Sequence, residues 1–305
     1  MNRSTLLAGG GASLLIATRA AFAQGLTPLD VAYAGSMGSM MEGPIKAGAA
    51  QHLQIDMHGR AMGSDALAKL IVGGSIAPDV FMPVTPGPMM TVLAAGKASQ
   101  GIPVARTEMV IAYSPKSKYA PQFDDAASGK HGAMPWWQIL QQSDIRFGRT
   151  DPATDPQGRN IIFTLQLAEI FYKLPGLAQK ILGQTINPAQ IFSEPSVEAR
   201  LQSGELDAAS AYKIQPGPFN LPYVSLPQEI NLGKDALQHH YALTSLVLGD
   251  KTYTPQPLVY YAAVLGGSQH RDKATAFVGW LTQDGQAIFR QFFYDPPGAA
   301  APLHA

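Results

Sequence analysis

Apolar and polar positions alternate along the chain in short blocks separated by glycine or proline. Apolar runs at residues 29–34 and 79–82, and an alternating run at 52–57, have the length of strands. Each is followed by a turn and a segment with helical spacing. Since three strand–helix units follow one another within roughly 70 residues, this part of the chain is predicted to form a doubly wound α/β layer.

A second set of elements follows a change in character at residues 114–130, which are polar and contain Pro and Lys. The pattern predicts a helix over 161–172 and a strand over 206–212, so this region is again α/β. An apolar strand at 257–265 and an amphipathic stretch at 272–293 are expected to pack back on the first region. The chain is therefore predicted to have two lobes joined by a hinge. The predicted bounds are a signal peptide at 1–23, lobe 1 at 24–113 plus 258–305, and lobe 2 at 114–257.

The N-terminus has the pattern of a secretory signal peptide. Arg3 precedes an uncharged apolar run at 6–17, and Ala21-Phe22-Ala23 fits the small-x-small cleavage rule. Arg19 interrupts the run before it reaches the roughly 20 residues of a membrane span. We therefore expect an exported protein that does not itself span the membrane after cleavage, located in the periplasm.

The amino-acid composition of the chain argues against several classes of function. Lys plus Arg and Asp plus Glu both number 22, and cysteine is absent. Balanced charge argues against nucleic-acid binding, and the lack of cysteine excludes disulfides and thiolate chemistry. The 46% hydrophobic and 14% charged residues are typical of a folded protein with a sizeable core.

Two Gly-Ser pairs stand where polar sites of α/β proteins usually lie, between a strand and a helix. Ser36 follows Gly35 and Ser64 follows Gly63. Either pair alone is an ordinary helix cap. Two such pairs at adjacent helix starts can present hydroxyl and backbone N–H groups to a small anion.

Two further segments carry candidate carboxylates. A loop at 149–160 contains two Asp-Pro pairs, beginning at Asp151 and Asp155, just before a helix. The segment Leu-Pro-Gln-Glu-Ile-Asn-Leu at 226–232 contains Glu229, and Tyr241 follows it. Taken alone, the first is typical of a turn and the second of an exposed loop.

In this order the motifs resemble those of the tungstate/molybdate-binding proteins of ABC importers, in the branch best known from archaea. The resemblance runs from about residue 31 to at least Tyr241, and its most specific parts are the doubled Asp-Pro loop and the 226–232 segment. One departure is that Gln157 and Arg159 stand where the family usually has Cys and Tyr. The other matching segments are Ala34-Gly35-Ser36, Gly63-Ser64, 109–113 with 117–119, 145–148, 167–172, 203–207 and 212–213.

The resemblance implies a type II-like periplasmic binding protein, each lobe having a central mixed sheet flanked by helices, that closes on a tetrahedral oxyanion. By matching motif, Ser36 and Ser64 would donate hydrogen bonds to oxo groups, and Asp155 and Glu229 would face the W or Mo centre. Tyr241 would be a supporting donor. Asp151 is the reserve for Asp155, because spacing does not decide between them.

We therefore expect a monomeric binding protein, not an enzyme, that needs no cofactor and delivers tungstate or molybdate to an ABC permease. A carboxylate repels an anion unless it meets a metal centre that accepts another oxygen ligand. Alternatives left open are another anion, a cation held by Asp151, Asp155 and Glu229, a sensory subunit, and an exported hydrolase with Ser36 as nucleophile and Asp155 or Glu229 as base.

Overall fold

The computed structural model describes residues 25–305, so the predicted signal peptide at 1–23 lies outside the described residues. The strands in this part are β1 (Thr27–Ala34), β2 (Ile55–Met62), β3 (Val80–Met82), β4 (Gln100–Arg106), β5 (Met109–Tyr113), β6 (Phe147–Gly148), β7 (Ala208–Tyr212), β8 (Tyr223–Ser225), β9 (Leu246–Leu248), β10 (Lys251–Tyr253), β11 (Val259–Val264) and β12 (Leu303–His304).

The α-helices are α1 (Gly38–Met40), α2 (Lys46–Leu53), α3 (Ser64–Val72), α4 (Pro86–Ala94), α5 (Ala120–Ala127), α6 (Trp136–Ile139), α7 (Pro156–Tyr172), α8 (Leu177–Leu182), α9 (Glu194–Ser203), α10 (Gln238–Tyr241), α11 (Arg271–Leu281) and α12 (Gln286–Gln291). Shorter turns of 3-10 helix lie at Gly35–Met37, Gly217–Phe219 and Asp235–Leu237, and a π-helical turn lies at Met41–Ile45.

Two mixed sheets organise the chain into two lobes, as the sequence predicts. The first lobe is built on a six-stranded sheet of order β12-β4-β11-β3-β1-β2, in which β1 is parallel to β2 and β3. The second is built on a four-stranded sheet of order β6-β7-β5-β8. The central strands β5 and β7 are buried at every position, because helices or loops cover both of their faces.

The passage between the lobes differs from the predicted boundary. The predicted bounds place residues 109–113 in lobe 1, whereas β5 pairs antiparallel with β7 and β8 in the second sheet. The chain therefore leaves the first lobe at Thr107 and Glu108. A uniformly apolar strand does not reveal its sheet, since its partners come much later in the chain.

The two segments that pass between the lobes lie side by side. The Thr107 N–H donates to the Leu258 carbonyl over 3.0 Å, and the Met109 N–H donates to the Asn231 carbonyl over 2.7 Å. These paired segments carry the chain between the two lobes, as the hinge of a two-lobed protein does.

Candidate functional site

A cavity of about 690 Å³ lies between the two lobes. The first-lobe residues that line it, which we call the first wall, are Gly35, Ser36, Gly38, Ser39, Ala61, Met62, Gly63 and Ala66. The second-lobe residues, which we call the second wall, are Thr150, Asp151, Thr154, Asp155, Ile191, Phe192, Ser193, Glu194, Glu198, Ile214, Gln215 and Phe219. In the described chain no Lys, Arg or His lines this cavity.

The first wall is formed where the chain turns from a strand into a helix. β1 leads into the 3-10 turn at Gly35–Met37, and β2 leads into α3, whose N-cap is Gly63. Neither helix start has a side-chain cap. The first N–H groups of a helix have no partner within the helix, so these starts can bind an anion that enters the cavity.

The structure brings Ser36, but not the hydroxyl of Ser64, to the cavity. Ser36 Oγ lies 2.9 Å from the Tyr260 hydroxyl and faces the cleft. Ser64 is fully buried, and its Oγ accepts a hydrogen bond of 3.1 Å from the Val84 N–H. Ser64 therefore positions the segment after β3, while its neighbour Gly63 lines the cavity. Since the partner of Ser36 is a phenol, the geometry offers no base to activate it as a nucleophile.

The doubled Asp-Pro loop supplies two carboxylates to the second wall. Asp155 caps α7, with Oδ1 accepting a 2.8 Å hydrogen bond from the Gln157 N–H. Asp151 Oδ1 accepts a 2.9 Å bond from the Ala153 N–H, an Asx turn that holds the loop. Burial raises the pKa of Asp155, against the Gln157 N–H and the charge of Arg159, which lower it. Both carboxylates line the cavity.

Helix α9 adds two carboxylates that the sequence analysis did not single out. Glu194 and Glu198 are one helical turn apart and both face the cavity. Burial raises the pKa of Glu198 to about 7. Burial, followed by the charge of Asp155, raises the pKa of Glu194 well above its usual range. The sequence feature that could have indicated these two residues is their spacing of four positions near the start of a helix. The same spacing is also common on exposed helices.

One glutamine connects these two carboxyl groups. Gln215 Nε2 donates to Glu194 Oε1 over 2.9 Å and to Glu198 Oε1 over 3.0 Å. Its Oε1 accepts from the Gln157 Nε2 and from the Tyr212 N–H, over 2.8 and 2.6 Å. The amide orientation of Gln215 is therefore fixed by both of its ends.

The two lobes contact each other across the cleft. A side-chain carbon on Gly35 would lie 2.5 Å from Glu194 Oε2, so only glycine permits this approach. Arg159 of α7 pairs with Asp65 of α3 and donates to the Pro152 carbonyl over 2.9 Å. These contacts hold the walls close together around the cavity.

Glu229 and Tyr241 are not brought to this cavity. The Tyr241 hydroxyl donates to the Gln228 carbonyl over 2.7 Å and accepts from the Lys234 N–H over 3.2 Å. Glu229 Oε1 lies 3.4 Å from Gln228 Nε2 in the same segment. Neither residue lines the cavity. In this structure they belong to the segment that leads back toward the hinge.

The described residues hold neither a candidate metal cluster nor a helix suited to cross a membrane. No group of at least three His, Asp or Glu side chains between residues 25 and 305 is arranged to hold a metal ion. Within the same range, no helix has both the length and the apolar character that crossing a membrane requires.

Comparison with known proteins identifies relatives and the fold. One relative is a protein of Methanococcus aeolicus that is described as a solute-binding protein without a named ligand. It is 30% identical over 277 residues, which are 82% of this chain and 77% of that protein. The molybdate/tungstate-binding protein WtpA of Thermococcus kodakarensis is 30% identical over 220 residues, 64% of this chain and 60% of that protein. The sulfate-binding protein SubI of Mycobacterium tuberculosis has a TM-score of 0.61 at 12% identity, covering 90% of this chain and 88% of its own.

These matches confirm the two-lobed binding-protein fold and the family resemblance seen in the motifs. The family described as bacterial extracellular solute-binding protein matches residues 29–295, nearly all of the described chain. This protein is therefore a member of the bacterial extracellular solute-binding protein family.

Proposed function

We propose that this protein is the periplasmic binding component of an ABC importer and captures a tetrahedral oxyanion, tungstate or molybdate, between its lobes. The observation that carries the proposal is the interlobe cavity, where two uncapped helix starts meet the Asp-Pro loop. The 30% identity to a molybdate/tungstate-binding protein supports the choice of ligand. This function requires no metal centre other than the W or Mo atom of the ligand. The protein acts as a monomer, and its partner is a membrane permease.

The first wall supplies the hydrogen-bond donors. Ser36 Oγ and the N–H groups at the starts of the Gly35–Met37 turn and of α3 would donate hydrogen bonds to oxo groups of a ligand in the cavity. Neutral donors suit a ligand that is released to a permease, because no fixed cation holds it. Since the walls belong to different lobes, a ligand that contacts both favours the closed arrangement.

Asp155 is our candidate for contact with the W or Mo centre, with Asp151 in reserve. Its position on the second wall allows a carboxylate oxygen to approach a ligand held by the first wall. The assignment of Glu229 to the same centre stays a prediction, and it requires residues 226–232 to move into the cavity.

Calorimetric titration of the purified protein with tungstate, molybdate, sulfate and phosphate tests this function. We expect binding of tungstate and molybdate, with little or no response to sulfate or phosphate. Removal of one neutral donor in Ser36→Ala should weaken binding about fivefold to tenfold. Ser128→Ala, on the exposed C-terminal end of α5, is the matched control and should leave the affinity unchanged. Absence of binding to any oxyanion would contradict the proposal.

The variants Asp155→Asn and Glu229→Gln separate the two carboxylate assignments. If Asp155 meets the metal centre, the first variant loses most of the affinity. The second should leave the affinity near that of the original protein, given the position of Glu229 outside the cavity. Loss of binding in Glu229→Gln would instead restore its assignment to the ligand.

A cationic solute is the second candidate, favoured by the acidic second wall. Asp151, Asp155, Glu194 and Glu198 line a cavity without Lys or Arg in the described chain. Adding divalent and trivalent metal ions to the same titration series, each with and without a chelator, tests this candidate. Chelator-sensitive binding of a cation, without oxyanion binding, would favour it over the first.

A further inference from the structure

The second wall presents an electrostatic problem for an oxyanion. Ionised carboxylates and oxo groups are both hydrogen-bond acceptors, so they repel when they face each other without a proton or metal between them. Glu194, Glu198 and Asp155 face the cavity together, and no cationic side chain of the described chain lines it. Arg159, the nearby cation, is engaged by Asp65 and by the Pro152 carbonyl.

Among the described residues, one buried carboxyl oxygen of Glu198 has no hydrogen-bond partner. Gln215 Nε2 donates to Glu198 Oε1 and to Glu194 Oε1, and its Oε1 is taken by Gln157 and Tyr212. Glu198 Oε2 is buried and has no hydrogen-bond partner in residues 25–305, and the Glu198 residue is only 8% exposed. A buried oxygen without a partner is costly, unless it carries a proton or meets a ligand.

The surroundings of Glu198 favour the neutral carboxyl. Burial is the largest cause that raises its pKa, followed by the charge of Asp155 at the start of α7, whereas its own backbone N–H and the Gln215 amide lower the pKa. The pKa of Glu194, one turn away on α9, is raised well above its usual range, so Glu194 adds no negative charge while it holds its own proton. The phenols of Tyr212 and Tyr260 are buried behind the cavity lining, near Asp155 and Glu194, and burial raises their pKa values well above 10. With burial raising the pKa of Glu198 to about 7, its carboxyl carries a proton in part of the molecules near neutral pH.

We propose that the oxyanion is captured together with a proton on Glu198: on binding, the side chain turns its buried Oε2 toward the cavity, and the Glu198 carboxyl donates a hydrogen bond from Oε2 to an oxo group. This inference rests on the proposed function. It makes Glu198 a specificity-determining residue, because a neutral acid donates to an oxyanion and an ionised one repels it. The second wall then complements the fixed donors of the first.

The proposal predicts the direction in which ligand affinity changes with pH. A bound dianion stabilises the protonated form of Glu198, so the ligand and the proton bind cooperatively. Affinity is therefore greatest below the pKa of the free protein and falls as the pH rises above it. For one linked proton the dissociation constant rises by about tenfold for each pH unit above that pKa.

The test is titration of the protein with molybdate and tungstate between about pH 6 and 9, where both ligands are dianions. Repeating each titration in two buffers of different ionisation enthalpy counts the protons taken up, and this measurement needs no variant. We expect close to one proton at pH 8 and a progressive loss of affinity. A pH-independent affinity without proton uptake would overturn the proposal, yet leave oxyanion binding intact. Failure of every oxyanion to bind at every pH would overturn both.

The variant Glu198→Gln assigns the proton. Glutamine resembles the protonated acid and keeps an oxygen to accept from Gln215 Nε2. We expect it to bind as tightly at pH 8 as the original protein does at pH 6, with a nearly flat pH profile. Glu205→Gln, an exposed pair partner of Arg200, is the matched control and should keep the original profile. Loss of binding at all pH values in folded Glu198→Gln, or a pH slope that stays unchanged, would overturn the role of Glu198.

Discussion

The two walls of the cavity use different chemistry. The first wall consists of small uncharged residues such as Gly35, Ser36 and Gly63, and it offers backbone and hydroxyl donors. The second wall contains Asp155, Glu194 and Glu198, and it offers titratable groups. The donors of the first wall do not change with pH, whereas the hydrogen-bonding character of the second does. Any pH dependence of ligand binding must therefore originate in the second wall.

The largest expected effect on stability comes from Glu198→Gln at alkaline pH. The pKa of Glu198 rises from 4.5 to about 7 on folding, so its contribution is complete below the lower value and is lost as pH rises through the higher one. At pH 8 the variant should exceed the original protein by about 3 kcal/mol in the free energy of unfolding. Urea denaturation without ligand at pH 5 and pH 8 measures this difference. Equal pH slopes in the two proteins would show that Glu198 is not neutralised on folding.

Gly158→Ala tests how tightly the second wall is built. A side-chain carbon at this position would lie 2.4 Å from the Thr150 carbonyl oxygen and 2.7 Å from backbone atoms of Asp151 and Pro152. Because backbone atoms give way with difficulty, we expect a loss of about 2 kcal/mol, despite the better helix propensity of alanine. The free energy of unfolding, followed by circular dichroism, measures the change. A stability equal to that of the original protein would mean that the Asp-Pro loop moves freely.

The residues of the first wall can be predicted from the sequence more readily than those of the second wall. Gly35 and Gly63 stand at strand–helix junctions, where local pattern alone predicts a helix start at a sheet edge. Glu194 is the first residue of α9, Glu198 follows one turn later, and the only β-structure before them in this segment is the short bridge at Ile191. Two acids spaced by four on a helix are equally common on exposed surfaces. Which face of α9 meets the cleft depends on contacts between the lobes, and a local pattern does not contain that information.

The position of Glu229 and the lobe boundary also depend on contacts between distant parts of the chain, which a local pattern does not contain. The 226–232 segment looks like a ligand loop by its resemblance, and in this structure Asn231 joins it to the hinge while Tyr241 holds the backbone of Gln228 and Lys234. Asn231 Nδ2 donates to Glu108 Oε2 over 3.0 Å and its carbonyl accepts from Met109. These partners lie more than a hundred positions away in the chain, so their pairing follows from the tertiary fold.

Asp65→Asn tests the link between the walls. Asp65 is partly exposed and pairs with the buried guanidinium of Arg159, which belongs to the other lobe. Loss of this charged hydrogen bond should reduce the free energy of unfolding by about 1.5 kcal/mol and weaken ligand binding with it. Asp56→Asn, whose exposed carboxylate meets only His58 among described side chains, should change stability by less than about 0.5 kcal/mol. Equal effects from both variants would argue that the Arg159 pair does not couple the lobes.

The smallest effect is expected from Gly38→Ala on the first wall. Gly38 has helical angles, with φ of −51° and ψ of −52°, and a side-chain carbon there would meet no atom within 4 Å. Alanine restricts the unfolded chain, so the free energy of unfolding should rise by about 0.5 kcal/mol. Oxyanion affinity, measured by calorimetry, should stay within twofold, because one methyl group takes little of a cavity of about 690 Å³. A marked loss of affinity would instead mean that the ligand is a larger solute that fills the space beside Gly38. The same substitution, made at Gly38 and at Gly158, thus separates an open first wall from a closely packed second one.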